Sequence, residues 1–139
     1  MAERLLILVA IAVLVLAMVA GGRVLAGRRL SKLRAADPDY LWAVLRAEPD
    51  GRPTIIAFST PSCAACRTAQ QSALTALKAQ HGGGLRVIQV DAAARPEVAS
   101  TFGVLTVPAT VVLDRRGRVA AANQGFANAD QLAHQLPLT

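Results

Sequence analysis

Cysteine is scarce in this chain: there are two, Cys63 and Cys66, three positions apart. So few cannot staple a disulfide scaffold, which needs more cysteines at wider spacing. They also fall short of the four ligands of a structural zinc site, and the only histidines, His81 and His134, lie far from them in sequence. Aromatic residues are sparse, with one Trp, one Tyr and three Phe. No basic stripe interleaves them, which argues against a nucleic-acid surface. Acids are nearly missing from the first 34 positions, where Arg4, Arg23, Arg28, Arg29, Lys32 and Arg34 are opposed only by Glu3. Positions 35–139 hold nine Lys/Arg and eight Asp/Glu, so +5 of the formal net charge of +6 belongs to the first stretch and +1 to the rest. Internal repeats are absent, and so are low-complexity tracts beyond the first stretch.

The apolar residues are not evenly spread. Residues 5–22 form an uninterrupted run of 18 uncharged positions. As a helix that run spans about 27 Å, just short of a hydrocarbon core of roughly 30 Å. Arg23 can snorkel, which lets Val24, Leu25 and Ala26 extend the span. A cleaved signal peptide would have a shorter apolar region, and Arg23 directly precedes the one passable cleavage site at Val24-Leu25-Ala26, so a retained anchor is the preferred expectation. The lipid bilayer is then a partner through residues 5–26. The basic residues that follow fit anionic headgroups or topology control. They outnumber Arg4 on the other flank, which places the C-terminal part in the cytoplasm by the positive-inside rule, with an extracytoplasmic domain as the alternative. The expected organisation is an anchor at 1–26, a basic juxtamembrane segment at 27–36 and a globular domain at 37–139.

Within the domain, Asp37-Pro38-Asp39 reads as a helix start with a cap, a proline at the first position and an acid in the first turn. Leu41, Val44 and Leu45 fall on one face of that helix, and Pro49-Asp50-Gly51 ends it. Residues 54–58 are a short apolar run bounded by turn residues, as in a buried central strand. A helix over about 63–80 follows, ridged by Leu74 and Leu77 and stopped by Gly82-Gly83-Gly84. A strand over 85–90, a short helix over 96–102 and a strand over 109–113 come next. Asp114-Arg115-Arg116-Gly117 is a hairpin turn into a strand over 118–122. Asn128 opens the last helix, with Gln131 placed for a capping box and Leu132 and Leu136 facing inward. Strands separated by helices imply parallel pairing, and the final hairpin adds an antiparallel edge.

Cys63-Ala64-Ala65-Cys66 opens the helix that follows the buried strand. Helical spacing brings two sulfurs three residues apart within bonding reach. The first cysteine sits over unpaired backbone N–H groups and the positive end of the helix dipole, which favour thiolate. The second, a turn further in, is more shielded and suited to resolving a mixed disulfide. Cys63 is thus the expected nucleophile and Cys66 the expected resolving thiol, with Arg67 adding positive charge nearby. A buried pair of small residues is the bland alternative, and the strand-Pro-Ser context makes it the weaker one.

Residues 54–136 resemble the thioredoxin family. The likeness rests on Ile55-Ile56-Ala57-Phe58 before Cys63-Ala64-Ala65-Cys66, on Val87-Ile88-Gln89-Val90-Asp91, and on the stretch from Phe102-Gly103 to Val107-Pro108-Ala109-Thr110, with Gly117 and Gly125 also matching. It implies an α/β, thioredoxin-like fold with a central mixed sheet of about four strands flanked by helices, since residues 28–34 make a poor N-terminal edge strand. It also implies that Pro108 is a cis-proline beside the disulfide, leaving the backbone of Val107 free to bind an extended substrate. Four positions depart from the family pattern. Ser62 stands where a tryptophan is usual, Ala57 where the family has a buried acid thought to relay protons, and Ala64-Ala65 contain no histidine to raise oxidising power.

The expected function is a membrane-tethered thiol–disulfide oxidoreductase that reduces more readily than it oxidises. Its partners would be protein thiol or disulfide substrates and an unidentified electron donor or acceptor, with no cofactor, no metal and no nucleic acid. The competing expectation is an accessory subunit of a membrane complex, non-catalytic or handling a soft ion such as Cu(I) on the two thiolates. His81, His134, Tyr40 and Trp42 are assigned no site role.

Overall fold

The computed structural model describes residues 1–137. It comprises two compact units, Met1–Lys32 and Leu33–Thr139. The first is most of helix α1 (Ala2–Ala35), whose 34 residues are long enough, at about 51 Å, to exceed a hydrocarbon core. It is the one helix among the described residues that is long and apolar enough to cross a membrane. Its leucine, isoleucine and valine side chains up to Leu25 are exposed. The basic segment is helical as far as Ala35.

The second unit adds α2 (Pro38–Leu45), β1 (Thr54–Ser59), a π-helical turn (Cys66–Gln70) running into α3 (Gln71–His81), β2 (Arg86–Asp91), α4 (Pro96–Thr101), β3 (Ala109–Leu113), β4 (Val119–Gln124) and α5 (Ala129–Gln135). Asp37 caps α2 by accepting the Asp39 N–H, and Asn128 caps α5 by accepting the Gln131 N–H at 2.8 Å. The capping box at α5 is only half made, because the Gln131 amide turns to the Asn123 side chain instead. Helix α2 stops at Leu45, earlier than Pro49-Asp50-Gly51. Arg46 takes the left-handed conformation there, with φ 55°, and its N–H closes back on Ala43.

The four strands form one sheet in the order β2-β1-β3-β4. β1 and β2 are parallel, and β3 and β4 form the antiparallel hairpin. β3 is antiparallel to β1, contrary to the expectation that every helix-separated pair is parallel. The length of α4 explains this. Six residues make a helix of about 9 Å, too short to carry the chain back along a strand of about 20 Å. The chain therefore stays at the end of the sheet where β2 finishes, and enters β3 there, with Ala109 opposite Phe58.

Strand alternation divides the core. Ile55 and Ala57 pack with Leu74 and Leu77 of α3 and Leu132 and Leu136 at α5. Ile56 and Phe58 point to the other face, where the Phe58 ring lies 6.0 Å from that of Phe102, just after α4. Trp42 of α2 is buried, and its indole N–H donates to the Gly117 carbonyl in the β3–β4 turn at 3.2 Å. Gly117 has φ +81°, and a Cβ there would collide with the indole nitrogen.

Candidate active site

The site lies at the end of the sheet where β1 finishes and β3 begins. After Ser59 the chain turns through Thr60-Pro61-Ser62, and the Cys63 N–H closes the turn onto the Thr60 carbonyl at 3.1 Å. Helical residues run from 64 to 81, with the π-helical turn between them. Cys63 and Cys66 are joined by a disulfide, with their Cα atoms 5.3 Å apart. Their surroundings differ. Cys63 is half-buried at the mouth of the turn, whereas Cys66 is buried, 7% exposed. The Cys66 N–H donates to the Cys63 sulfur at 3.1 Å. Arg67 folds back over the turn and donates to the Pro61 carbonyl at 2.8 Å, so its charge stays beside the motif although its side chain is exposed.

Val107 and Pro108 are brought to the same place. Their peptide bond is cis, Pro108 is buried and Val107 half-buried. The β1–β3 pairing ends with Phe58 opposite Ala109, so Ser59-Thr60 and Val107-Pro108 leave the same end of the sheet. Thr60 and Val107 accordingly line one cleft of about 470 Å³, walled also by Ala99, Val104 and Leu105. None of the residues lining that cleft carries a charge. Among the described residues, neither Thr106 nor Val107 joins a backbone–backbone hydrogen bond.

Two glutamines absent from the sequence expectations hold this end of the molecule together. Gln70 is buried, 3% exposed. Its amide donates to the Ala127 carbonyl at 2.9 Å and accepts the Ala127 N–H at 3.1 Å. Gln124 does the same for another loop, donating to the Gly103 carbonyl at 2.8 Å and accepting the Leu105 N–H at 3.1 Å. Each side chain acts as a two-sided peptide mimic. A faint signal for Gln70 exists in the sequence. It is the one polar side chain on the buried stripe Cys66, Gln70, Ala73, Leu74 and Leu77, spaced as a helix face. Nothing comparable marks Gln124. The residues given no site role lie elsewhere: Tyr40 is exposed on α2, His81 caps the Leu77 carbonyl and His134 that of Asp130.

Comparison with known proteins matches this architecture. No curated protein matches the sequence. Among solved structures, one described as a malarial protein has 21% identity and a TM-score of 0.55, covering 60% of this chain and 92% of its own. Thioredoxin-2, a component of malaria parasite protein secretion machinery, has 22% identity and a TM-score of 0.55, covering 60% and 79%. Chloroplastic thioredoxin z has 16% identity and a TM-score of 0.56, covering 71% and 85%. At these identities the likeness is one of fold. The thioredoxin family model matches residues 40–137, from within α2 to the end of the described chain. With that span matched and a bonded Cys63–Cys66 pair at the end of β1, the chain belongs to the thioredoxin family and is equipped for thiol–disulfide exchange.

Proposed function

We propose that this protein is a membrane-tethered thiol–disulfide oxidoreductase, in which Cys63 attacks, Cys66 resolves and reduction of partner disulfides is the favoured direction. The observation that carries the assignment of roles is the asymmetry of the pair. Cys63 is half-buried with a backbone N–H aimed at its sulfur, and Cys66 is buried. A donor aimed at sulfur steadies the thiolate, the attacking species. The Cys63 thiolate would attack a partner disulfide, forming a mixed disulfide and releasing one partner thiolate, which takes up a proton. Cys66, losing its proton, would then attack the Cys63 sulfur. The second partner thiol leaves, and the Cys63–Cys66 disulfide holds the two electrons' worth of oxidation. A dithiol donor must restore the pair. The free backbone at Thr106 and Val107 supports docking of an extended partner segment as an added strand.

Tethering is supported by the length and apolarity of α1. We place the boundaries at 1–26 for the anchor, 27–36 for a helical basic segment and 37–139 for the redox domain. The charge flanking the apolar run favours a cytoplasmic domain, a reducing setting, and the histidine-free Ala64-Ala65 pair agrees with that direction. The full-length chain in detergent should reduce a protein disulfide with dithiothreitol as donor, and Cys63→Ser should abolish this. Cys66→Ser should accumulate mixed disulfides with partners. If Cys66→Ser captures none and Cys63→Ser retains activity, the assignment of roles is wrong. Labelling of Cys63 in intact cells by a membrane-impermeant thiol reagent would place the domain outside the cytoplasm and overturn the direction.

A further inference from the structure

The two edges of the sheet, β4 and β2, are treated differently. The β4 edge is guarded. Ala120 is an extra residue there, between Val119 opposite Leu113 and Ala121 opposite Val112. The Arg34 guanidinium donates to its carbonyl at 2.9 Å. A bulge and a charge at an edge both deter a further strand. The β2 edge is bare. The Arg86 N–H donates to the Pro53 carbonyl and the Ala92 N–H to the Ser59 carbonyl. Alternate residues Arg86, Ile88, Val90 and Ala92 therefore turn their backbone to β1, and Val87, Gln89 and Asp91 turn theirs outward. Among the described residues, no hydrogen bond meets the N–H or C=O of Val87 and Gln89, or the Asp91 N–H. The strand has no proline, glycine or lysine, and its two charges stand at its ends. Arg86 does not guard the edge, because it lies 5.6 Å over the Trp42 ring and donates to the Glu48 carbonyl. The segment ahead of α2 is helical as far as Ala35 and supplies no strand. Beside the edge runs a groove of about 330 Å³, lined by Leu74 and Val87 with Gln71, Thr75, Lys78 and Gln89.

We propose that β2 is an interface between two copies of this chain, which pair edge to edge and antiparallel about a twofold axis at Gln89, joining two four-stranded sheets into one. The register follows from the outward groups. With Gln89 opposite itself, Val87 of each copy lies opposite Asp91 of the other. Every outward N–H and C=O of β2 then has a partner, the Asp91 carbonyl adding one to the Arg95 N–H it already accepts. A slip by two residues would leave Asp91 to pair beyond the strand. The side chains are self-complementary in the same register. The exposed Gln89 amide, a donor and an acceptor, meets its own copy. The Asp91 carboxylate comes to Val87 of the other copy, in the groove that carries Lys78, and symmetry makes that contact twice. On the opposite face, half-buried Ile88 lies across from Val90. A strand of unrelated sequence could use the backbone groups, but it would not bring these two matches. The pairing leaves catalysis open, because Cys63 follows β1 at the end of the sheet and not at its edge. Since the copies run antiparallel, their two Cys63–Cys66 pairs sit at opposite ends of the joint sheet.

The test is sedimentation equilibrium of the full-length chain in density-matched detergent micelles, with the Cys63–Cys66 disulfide intact so that no thiol links the copies. The wild type should fit a monomer–dimer equilibrium. A strand pair of this length is a small interface, so loading should extend to about 1 mM. Gln89→Lys and Gln89→Glu each set like charges opposite one another and should weaken association by about three- to fivefold. An equal mixture of the two should recover it, because the axis then sets Lys opposite Glu. Only a residue that faces its own copy gives that rescue. Gln89→Pro removes an outward N–H without touching the β1 ladder, and should weaken association by at least about tenfold. Trp42 emission checks that each variant is folded, and the two charged variants carry the test if the proline variant is not. A wild type that stays monomeric throughout would overturn the proposal, and would leave the edge to a strand from another protein. Dimers that folded Gln89→Pro leaves unchanged would put the contact elsewhere, on α1 for one, and also overturn it. So would a mixture of the charged variants that associates no better than either alone.

Discussion

Gly51 and Gly117 share nearly the same positive φ and have opposite surroundings, so the same substitution at both isolates what Trp42 contributes. Their φ angles are +80° and +81°. An alanine at either position incurs about 1 kcal/mol for a left-handed conformation that glycine adopts freely. At Gly51 nothing lies within 4 Å of the added Cβ, so the cost should end there. At Gly117 the Cβ would strike the indole, which is buried at 4% exposure. The indole must then withdraw from the Gly117 carbonyl, breaking the 3.2 Å hydrogen bond. A buried donor left without a partner costs about 1–3 kcal/mol. Gly117→Ala should therefore destabilise the domain by about 3 kcal/mol against about 1 kcal/mol for Gly51→Ala. For a domain of this size each kcal/mol moves the melting temperature by roughly 4–8 °C. Urea unfolding of the full-length chain in detergent, followed by the emission of Trp42, measures both, since the chain has a single tryptophan. Losses that agree within about 0.5 kcal/mol would show that the indole moves aside freely, and would refute the reasoning.

Gln70→Leu keeps the side chain's bulk but leaves the buried Ala127 N–H and carbonyl without partners. It should destabilise the domain by about 2–4 kcal/mol, and a loss in thermal melts below about 1 kcal/mol would mean that the loop re-pairs elsewhere. On the surface, the hydrogen bonds from the Arg52 side chain and backbone hold the Asp50 carboxyl below the usual carboxylate range, with the charges of Arg52 and Arg86 adding to the effect. A lowered pKa in the fold means that this stabilisation is complete above the ordinary carboxylate value and disappears as pH falls through the lowered one. Asp50→Asn should therefore be slightly less stable than the wild type at neutral pH, and the two should converge in strong acid. A difference that stays constant down the acid titration would refute the pairing.

What could be read from the sequence was local. The start of α2 was legible because Asp37, Pro38 and Asp39 act within one turn, and β1 because an apolar run between turn residues is buried on both sides. The Cys63–Cys66 disulfide was legible for the same reason, its two members being one turn apart. What escaped depended on distance or on lengths that no motif encodes. The direction of β3 follows from how far α4 can reach, and the end of α2 from a left-handed arginine where glycine was expected. Gln70 and Gln124 look like surface amides until their partners, 57 and about 20 residues away, come into place.

Ala57 and Gln70 together bear on where protons go. Ala57 is buried on β1, facing the same cluster as Leu74 and Leu77, in the position where a family relay acid would stand. Among the described residues the buried polar side chains are Thr54, Gln70 and Thr110, and none of these ionises at ordinary pH. Gln70, a turn beyond Cys66, spends both ends of its amide on Ala127. In the proposed mechanism Cys66 must still lose a proton before it can attack, and the interior behind it offers no base to take one. The way out is forward, through the face where Cys63 and the partner meet. There the thiolate released by the first exchange is a base of suitable strength, formed within the site at the moment it is needed. The substrate then serves as the proton acceptor for its own second step.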